Sequence, residues 1–136
     1  MNMKIVKASQ LPEKNISEFL KSAHQIKVEN ILQSGYMLEV NDEISGCFIL
    51  EKMADKIYEL KKFYLISTEA IKIPTLFEEI LSIAKEIGAK QVFVHSHKLM
   101  TDIILESLNF YPQADQIIIN TSTKNSGKWW SYTIAD

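Results

Sequence analysis

The chain of 136 residues has no arginine; all fifteen of its basic residues are lysines. That removes the planar, bidentate fork that best grips phosphate or carboxylate. The formal net charge is −2, and no long block of like charge occurs, so the electrostatic footprint of a nucleic-acid-binding protein is missing. Cysteine is nearly absent too. Cys47 is alone and cannot form an internal disulfide, which fits a reducing, intracellular setting. No apolar run approaches the roughly 18 residues of a membrane span. The first ten residues mix lysine, serine and apolar side chains, without the apolar centre of a signal peptide. The expectation is a cytoplasmic protein with no nucleic-acid or membrane partner.

What is present is ordinary for a soluble globular chain, with 46% apolar and 24% charged residues. The length suits one domain over 1–136, long enough to bury a core. "MKIVKA" (3–8) alternates and reads as a strand. "NISEFLKSAHQI" (15–26) carries Ile16, Phe19, Leu20 and Ala23 at helical spacing, with Asn15 and Glu18 as a capping pair. "VENIL" either extends that helix or forms a short second one, and Gly35 breaks the pattern.

Three apolar stretches follow. "YMLEV" (36–40) and "SGCFILEK" (45–52) flank the polar turn "NDEI" as a β-hairpin. "ADK" (54–56) is a second turn, and "IYELKKFYLI" (57–66) a third strand. Phe63, Tyr64, Leu65 and Ile66 are apolar on both faces, so that end is expected to be buried on both sides. The next helix has the stripe Leu76, Phe77, Ile80, Leu81, Ala84 and Ile87. Pro74 suits its first turn, where a missing N–H is no loss. Glu78 and Glu79 favour the positive end of its dipole, and Gly88 suits its C-terminal stop.

"KQVFVHSH" (90–97) reads as a strand and "LMTDIILESL" (99–108) as a helix closed by Asn109. "DQIIINTS" (115–122) and "KWWSYTI" (128–134) flank "TKNSG" as a last hairpin. The order is β-α-β-β-β-α-β-α-β-β. A helix between two strands of one sheet normally makes a right-handed crossover to a parallel neighbour. The expected fold is α/β, a mixed sheet with helices on both faces.

On these residues the chain resembles the GNAT (GCN5-related N-acetyltransferase) superfamily. "LEVNDEISGCFIL" is similar to that family's second and third strands, and "YELKKFYL" to its fourth. "LFEEILSIAKEIGAKQVFV" is similar to its long helix and fifth strand, and "LESLNF" stands where the family often ends a tyrosine-containing run in Gly-Phe. The resemblance covers nearly the whole chain and rests on element order and apolar pattern. It implies a mostly antiparallel sheet with one parallel, splayed strand pair. It also implies acetyl-CoA or another acyl-CoA as co-substrate and a small-molecule or protein amine as acceptor. In that family the pantetheine bonds to the backbone of the fourth strand, here Phe63, Tyr64 and Leu65. The diphosphate sits on amides at the start of the long helix, here around Ile71, Lys72, Ile73 and Thr75.

The family's Gln/Arg-x-x-Gly-x-Gly/Ala signature is replaced by "TEAIKIPT" (68–75), which is about two residues shorter and has no glycine. Ile71 and Ile73 are β-branched where close backbone approach favours glycine, and Pro74 lacks an amide. Lys72 supplies a point charge. Acyl transfer to an amine needs a base for the amine proton and an acid for the leaving thiolate. By resemblance Glu59 stands at the base position; its plainer alternative is a solvated strand carboxylate beside Lys61 and Lys62. The acid position falls at or near Leu105, which cannot donate a proton. Tyr64, Tyr111 and Tyr132 remain open for that role. Lys98 replaces an asparagine common after the fifth strand.

His95 and His97 share a strand face, a spacing that permits a two-histidine metal site, but no third ligand is evident and no metal is expected. His24 has no partner suggested by sequence. Trp129 and Trp130 are adjacent in a strand and point to opposite faces, one into the core. Cys47 reads as buried filler. The leading function is an acyl-CoA-dependent N-acyltransferase. The alternatives are a GNAT-derived binding or interaction module without transferase chemistry, and a transferase using another acyl donor such as a carrier protein. The terminal hairpin leaves an edge strand that suits a homodimer.

Overall fold

A computed structural model of the chain describes residues 3–23, 26–66, 73–97, 99–112 and 128–134. The strands and α-helices are β1 (Met3–Lys7), α1 (Glu13–Leu20), α2 (Val28–Ser34), β2 (Gly35–Val40), β3 (Glu43–Ala54), β4 (Ile57–Leu65), α3 (Ile73–Glu86), β5 (Gln91–Ser96), α4 (Leu99–Ser107), β6 (Tyr111–Pro112) and β7 (Lys128–Thr133). Among the described residues seven strands form one sheet in the order β1-β2-β3-β4-β5-β7-β6. The pairs β1–β2, β2–β3, β5–β7 and β6–β7 are antiparallel, and a two-residue turn joins β3 to β4. That leaves β4 and β5, connected through α3, as the one parallel pair, since parallel neighbours need a crossover. The α/β mixed sheet expected from the element order is the one found. The expected strand at 115–122 lies outside the described residues; the strand described beside β7 is β6.

The chain divides into two compact units, Met1–Glu51 with Leu60–Glu79, and Lys52–Glu59 with Ile80–Asp136. In the first, α1 begins at Glu13, earlier than its pattern suggested. Pro12 stands at the N-cap with extended backbone (φ −61°, ψ 133°) and no side-chain cap bond. Asn15 therefore lies inside the helix and the expected Asn15–Glu18 capping pair does not form. Proline's fixed φ starts the helix instead, helped by Glu13 in the first turn. α1 ends at Leu20, so Ala23 lies beyond it, and α2 is a separate helix entered from extended Lys27. Between α2 and β2 the chain passes so close that a Cβ on Gly35 would lie 2.5 Å from the Ile31 carbonyl oxygen. Glycine is required there for space, not for a positive φ.

The β2–β3 turn is tighter than the expected "NDEI". Only Asn41 and Asp42 lie in it, at φ 53° and 66°. Two left-handed residues match the twist of a two-residue hairpin, and Asn and Asp tolerate that region without glycine. The β2–β3 register shifts after Leu38: Leu38 pairs with Gly46 and Glu39 with Ile44, leaving Ser45 as a bulge.

Two apolar layers flank this part of the sheet. On one face Ile16, Phe19, Leu20 and Ile31 of the helices cover Met37, Cys47 and Ile49, with Tyr64 packed against them. On the other, a row of rings runs from Tyr36 to Phe48 (5.2 Å between centroids), to Phe63 (6.5 Å) and to Phe77 of α3 (5.6 Å). Helices therefore lie on both faces, as the expected fold requires. The end of β4 is less buried than its composition suggested. Phe63, Tyr64 and Leu65 are half-buried and Ile66 is 58% exposed. Lys62, just before them, is left-handed at φ 55°, yet Phe63 and Tyr64 still pack on opposite faces.

In the second unit both helices stop on a left-handed residue. At the end of α3, Ala89 N–H donates to Ala84 C=O (2.9 Å) and Gly88 N–H to Lys85 C=O (3.1 Å), with Gly88 at φ 96°. At the end of α4, Phe110 N–H donates to Leu105 C=O (3.0 Å) and Asn109 N–H to Glu106 C=O (3.1 Å), with Asn109 at φ 70°. Both are Schellman stops, at the two residues that the sequence pattern marked. Ile87 falls beyond α3 and is partly exposed. β5 and β7 pair along their full length, Val94 opposite Trp130 and His95 opposite Trp129.

Candidate active site

The segment 68–75 that stands in place of the family's diphosphate signature is described from Ile73 onward. Ile71 and Lys72 lie outside the described residues, as do His24 and Lys98. The helix start itself is described. α3 opens at Ile73, followed by exposed Pro74 and Thr75. First-turn amides have no acceptor within the helix, and Pro74 has no amide to offer. Ile73 and Thr75 are thus the donors of the described first turn, at the positive end of a 14-residue helix. The stack of Phe77 on Phe63 ties this turn to the end of β4.

The backbone of β4 has a defined direction there. Ile66 N–H donates to Ser45 C=O at 2.9 Å, so Ile66 turns its backbone toward β3. The Tyr64 carbonyl does too, since a Cβ on Gly46 would lie 2.8 Å from it. Alternation then points the backbone groups of Phe63 and Leu65 away from β3. The Ser45 bulge and the missing side chain at Gly46 together let this end of β4 lie close against β3.

The side chains divide by face. Tyr64 packs edge-on to Phe19 (5.7 Å, 62°) and its hydroxyl donates to Ser22 Oγ at 3.3 Å. Lys61 forms an ion pair with Glu51 at the surface, while Lys62 is exposed and turned by its own backbone. Glu59 is half-buried in the other unit of the chain. Of the other tyrosines, Tyr111 is exposed and Tyr132 lies against Phe110 (5.3 Å). Leu105 is completely buried and acts as core. The sequence missed the left-handed turn of Lys62 and the Ser45 bulge. Paired lysines interrupting an apolar strand were the available signal for the first; nothing marked the second.

Cys47 sits under α1 with its Sγ 4.0 Å from the Lys62 carbonyl. Burial pushes its thiol up to about 12 from 9.0, so it is no nucleophile at neutral pH. Burial disfavours the thiolate, so this contribution to stability is intact below pH 9.0 and is lost as pH rises toward about 12. Urea unfolding should show the wild type losing more stability than Cys47→Ala across that window. A difference independent of pH would contradict the assignment.

No protein-family model and no curated protein sequence matches the chain. Solved structures do, at low identity. The chain is similar to an acetyltransferase of the GNAT family from Staphylococcus aureus Mu50, with a TM-score of 0.73, 15% identity, and coverage of 97% of this chain and 99% of that one. It is similar to a Bacillus subtilis acetyltransferase in complex with CoA (TM-score 0.70, 15% identity, coverage 98% and 100%). It also matches N-acetylglutamate synthase from Neisseria gonorrhoeae, complexed with coenzyme A and N-acetylglutamate (TM-score 0.73, 16% identity). That match covers all of this chain and 36% of the synthase. The fold is that of the GNAT superfamily.

Proposed function

We propose that the chain is an acyl-CoA-dependent N-acyltransferase. The observation that most supports this is the β4–α3 unit, in which the Phe63–Phe77 stack holds a helix start beside a strand end whose alternate backbone groups point away from β3. The residues present fit the co-substrate in part. The Phe63 and Leu65 backbone would bond the pantetheine, while Tyr64 turns its backbone to β3. The Ile73 and Thr75 amides, with Lys72 and the Ile71 backbone, would hold the diphosphate, an anion that favours a helix N-terminus.

The bound acyl-CoA supplies an acyl group on a thioester; the acceptor nitrogen takes it as the C–N bond forms and the C–S bond breaks. Glu59 is the base that receives the proton from the amine. Tyr64, Tyr111 and Tyr132 are the tyrosines open for returning a proton to the thiolate. The acceptor is a small-molecule or protein amine.

Fully buried Leu105 favours a second reading, a binding module on the same fold without transferase chemistry. Release of free CoA thiol from acetyl-CoA, followed across a panel of diamines, amino acids and lysine peptides, separates them. Amine-dependent release supports the transferase. Binding of acetyl-CoA with no release for any amine supports the module. Release only from an acyl carrier protein would place the donor outside CoA.

A further inference from the structure

His95 and His97 are a close pair of potential metal ligands that the proposed transferase chemistry does not use. They stand at i and i+2, His95 in β5 and His97 one residue past its end, with ring centroids 4.2 Å apart and planes tilted by 55°. The His95 ring lies flat on Trp129, its cross-strand partner, at 4.5 Å and 3°. Trp129 is itself buried with Phe93 and Ile57. One imidazole is thus held by a rigid wall, while the other, His97, is exposed just past the strand.

We propose that His95 and His97 together bind a divalent transition-metal ion, with Trp129 fixing the orientation of the first ligand. Imidazole nitrogens bind such ions at about 2.0–2.1 Å, so two rings that share an ion must be close neighbours, as these are. Imidazole donors suit Cu²⁺, Ni²⁺ and Zn²⁺ better than Mg²⁺ or Ca²⁺. Among the described residues no third His, Cys, Asp or Glu joins the pair. The melting temperature of the metal-free chain is therefore the baseline against which the ion is added. The proposal is independent of the transferase reading.

Trp129 provides the readout. An open-shell Cu²⁺ ion on a ring stacked against the indole should quench its fluorescence. CuCl2 titrated into the metal-free full chain at neutral pH should give a saturable quench at one ion per chain, and MgCl2 should give none. Loss of a ligand should cost at least as much as loss of an outer-shell partner, about 10–100-fold in affinity. His97→Asn should therefore shift the titration by that factor while leaving the melting temperature unchanged, because His97 is exposed. His95→Asn should do the same to the titration. No quench, a linear unsaturable quench, or a saturable one unchanged in His97→Asn would overturn the proposal.

Discussion

Truncating Phe48 to alanine should lower stability by about 3–5 kcal/mol, the range for a large aromatic removed from a packed core. Phe48 is 1% exposed and stands between Tyr36 and Phe63 in the row of rings that ends on Phe77. The cavity would therefore open beneath the ring that holds the start of α3. Urea unfolding would show the loss in the midpoint. Because the same row positions the Ile73 and Thr75 amides, acetyl-CoA affinity should fall as well, measured below the unfolding range. A stability loss under about 1 kcal/mol would mean that neighbouring rings refill the space.

The second large effect is on rate. If Glu59 takes the amine proton, Glu59→Gln keeps the shape and removes the basic oxygen. General-base catalysis is worth about 10²–10⁴-fold, so kcat should fall by that factor with little change in KM for acetyl-CoA. The loss should shrink at high pH, where more of the acceptor amine is already deprotonated. An unchanged kcat would remove Glu59 as the base and leave it as a half-buried strand carboxylate.

How much of this was legible in the sequence depends on the distance over which each feature is encoded. Helix stops are local. Gly88 and Asn109 were marked by a single residue type after an apolar stripe, and both are left-handed Schellman ends. Element order and the parallel crossover were also readable, because apolar period and length carry them. Helix α1 shows the limit of the same method. Asn15 and Glu18 satisfied a capping pattern, but Pro12 three residues earlier had already started the helix. The end of β4 failed differently. Its apolar run implied burial on both faces, and both faces are packed, but Phe63, Tyr64 and Leu65 are only half-buried beside the left-handed Lys62 and the Ser45 bulge. Those depend on pairing with β3, which no single segment encodes. For the site, the helix start was visible through Pro74. The row of rings that fixes it joins residues from β2, β3, β4 and α3, and it was not visible.

The proposed transferase requires that β4 and the first turn of α3 bind acyl-CoA without a glycine-rich loop. A thermal melt with and without millimolar acetyl-CoA, with adenosine diphosphate as the anion control, tests that directly. A ligand at 100 times its Kd adds about 2.7 kcal/mol to stability, which for a domain of this size raises Tm by roughly 5–12 °C. A shift of that order is expected with acetyl-CoA and a smaller one with adenosine diphosphate. A melt that neither ligand moves would contradict it.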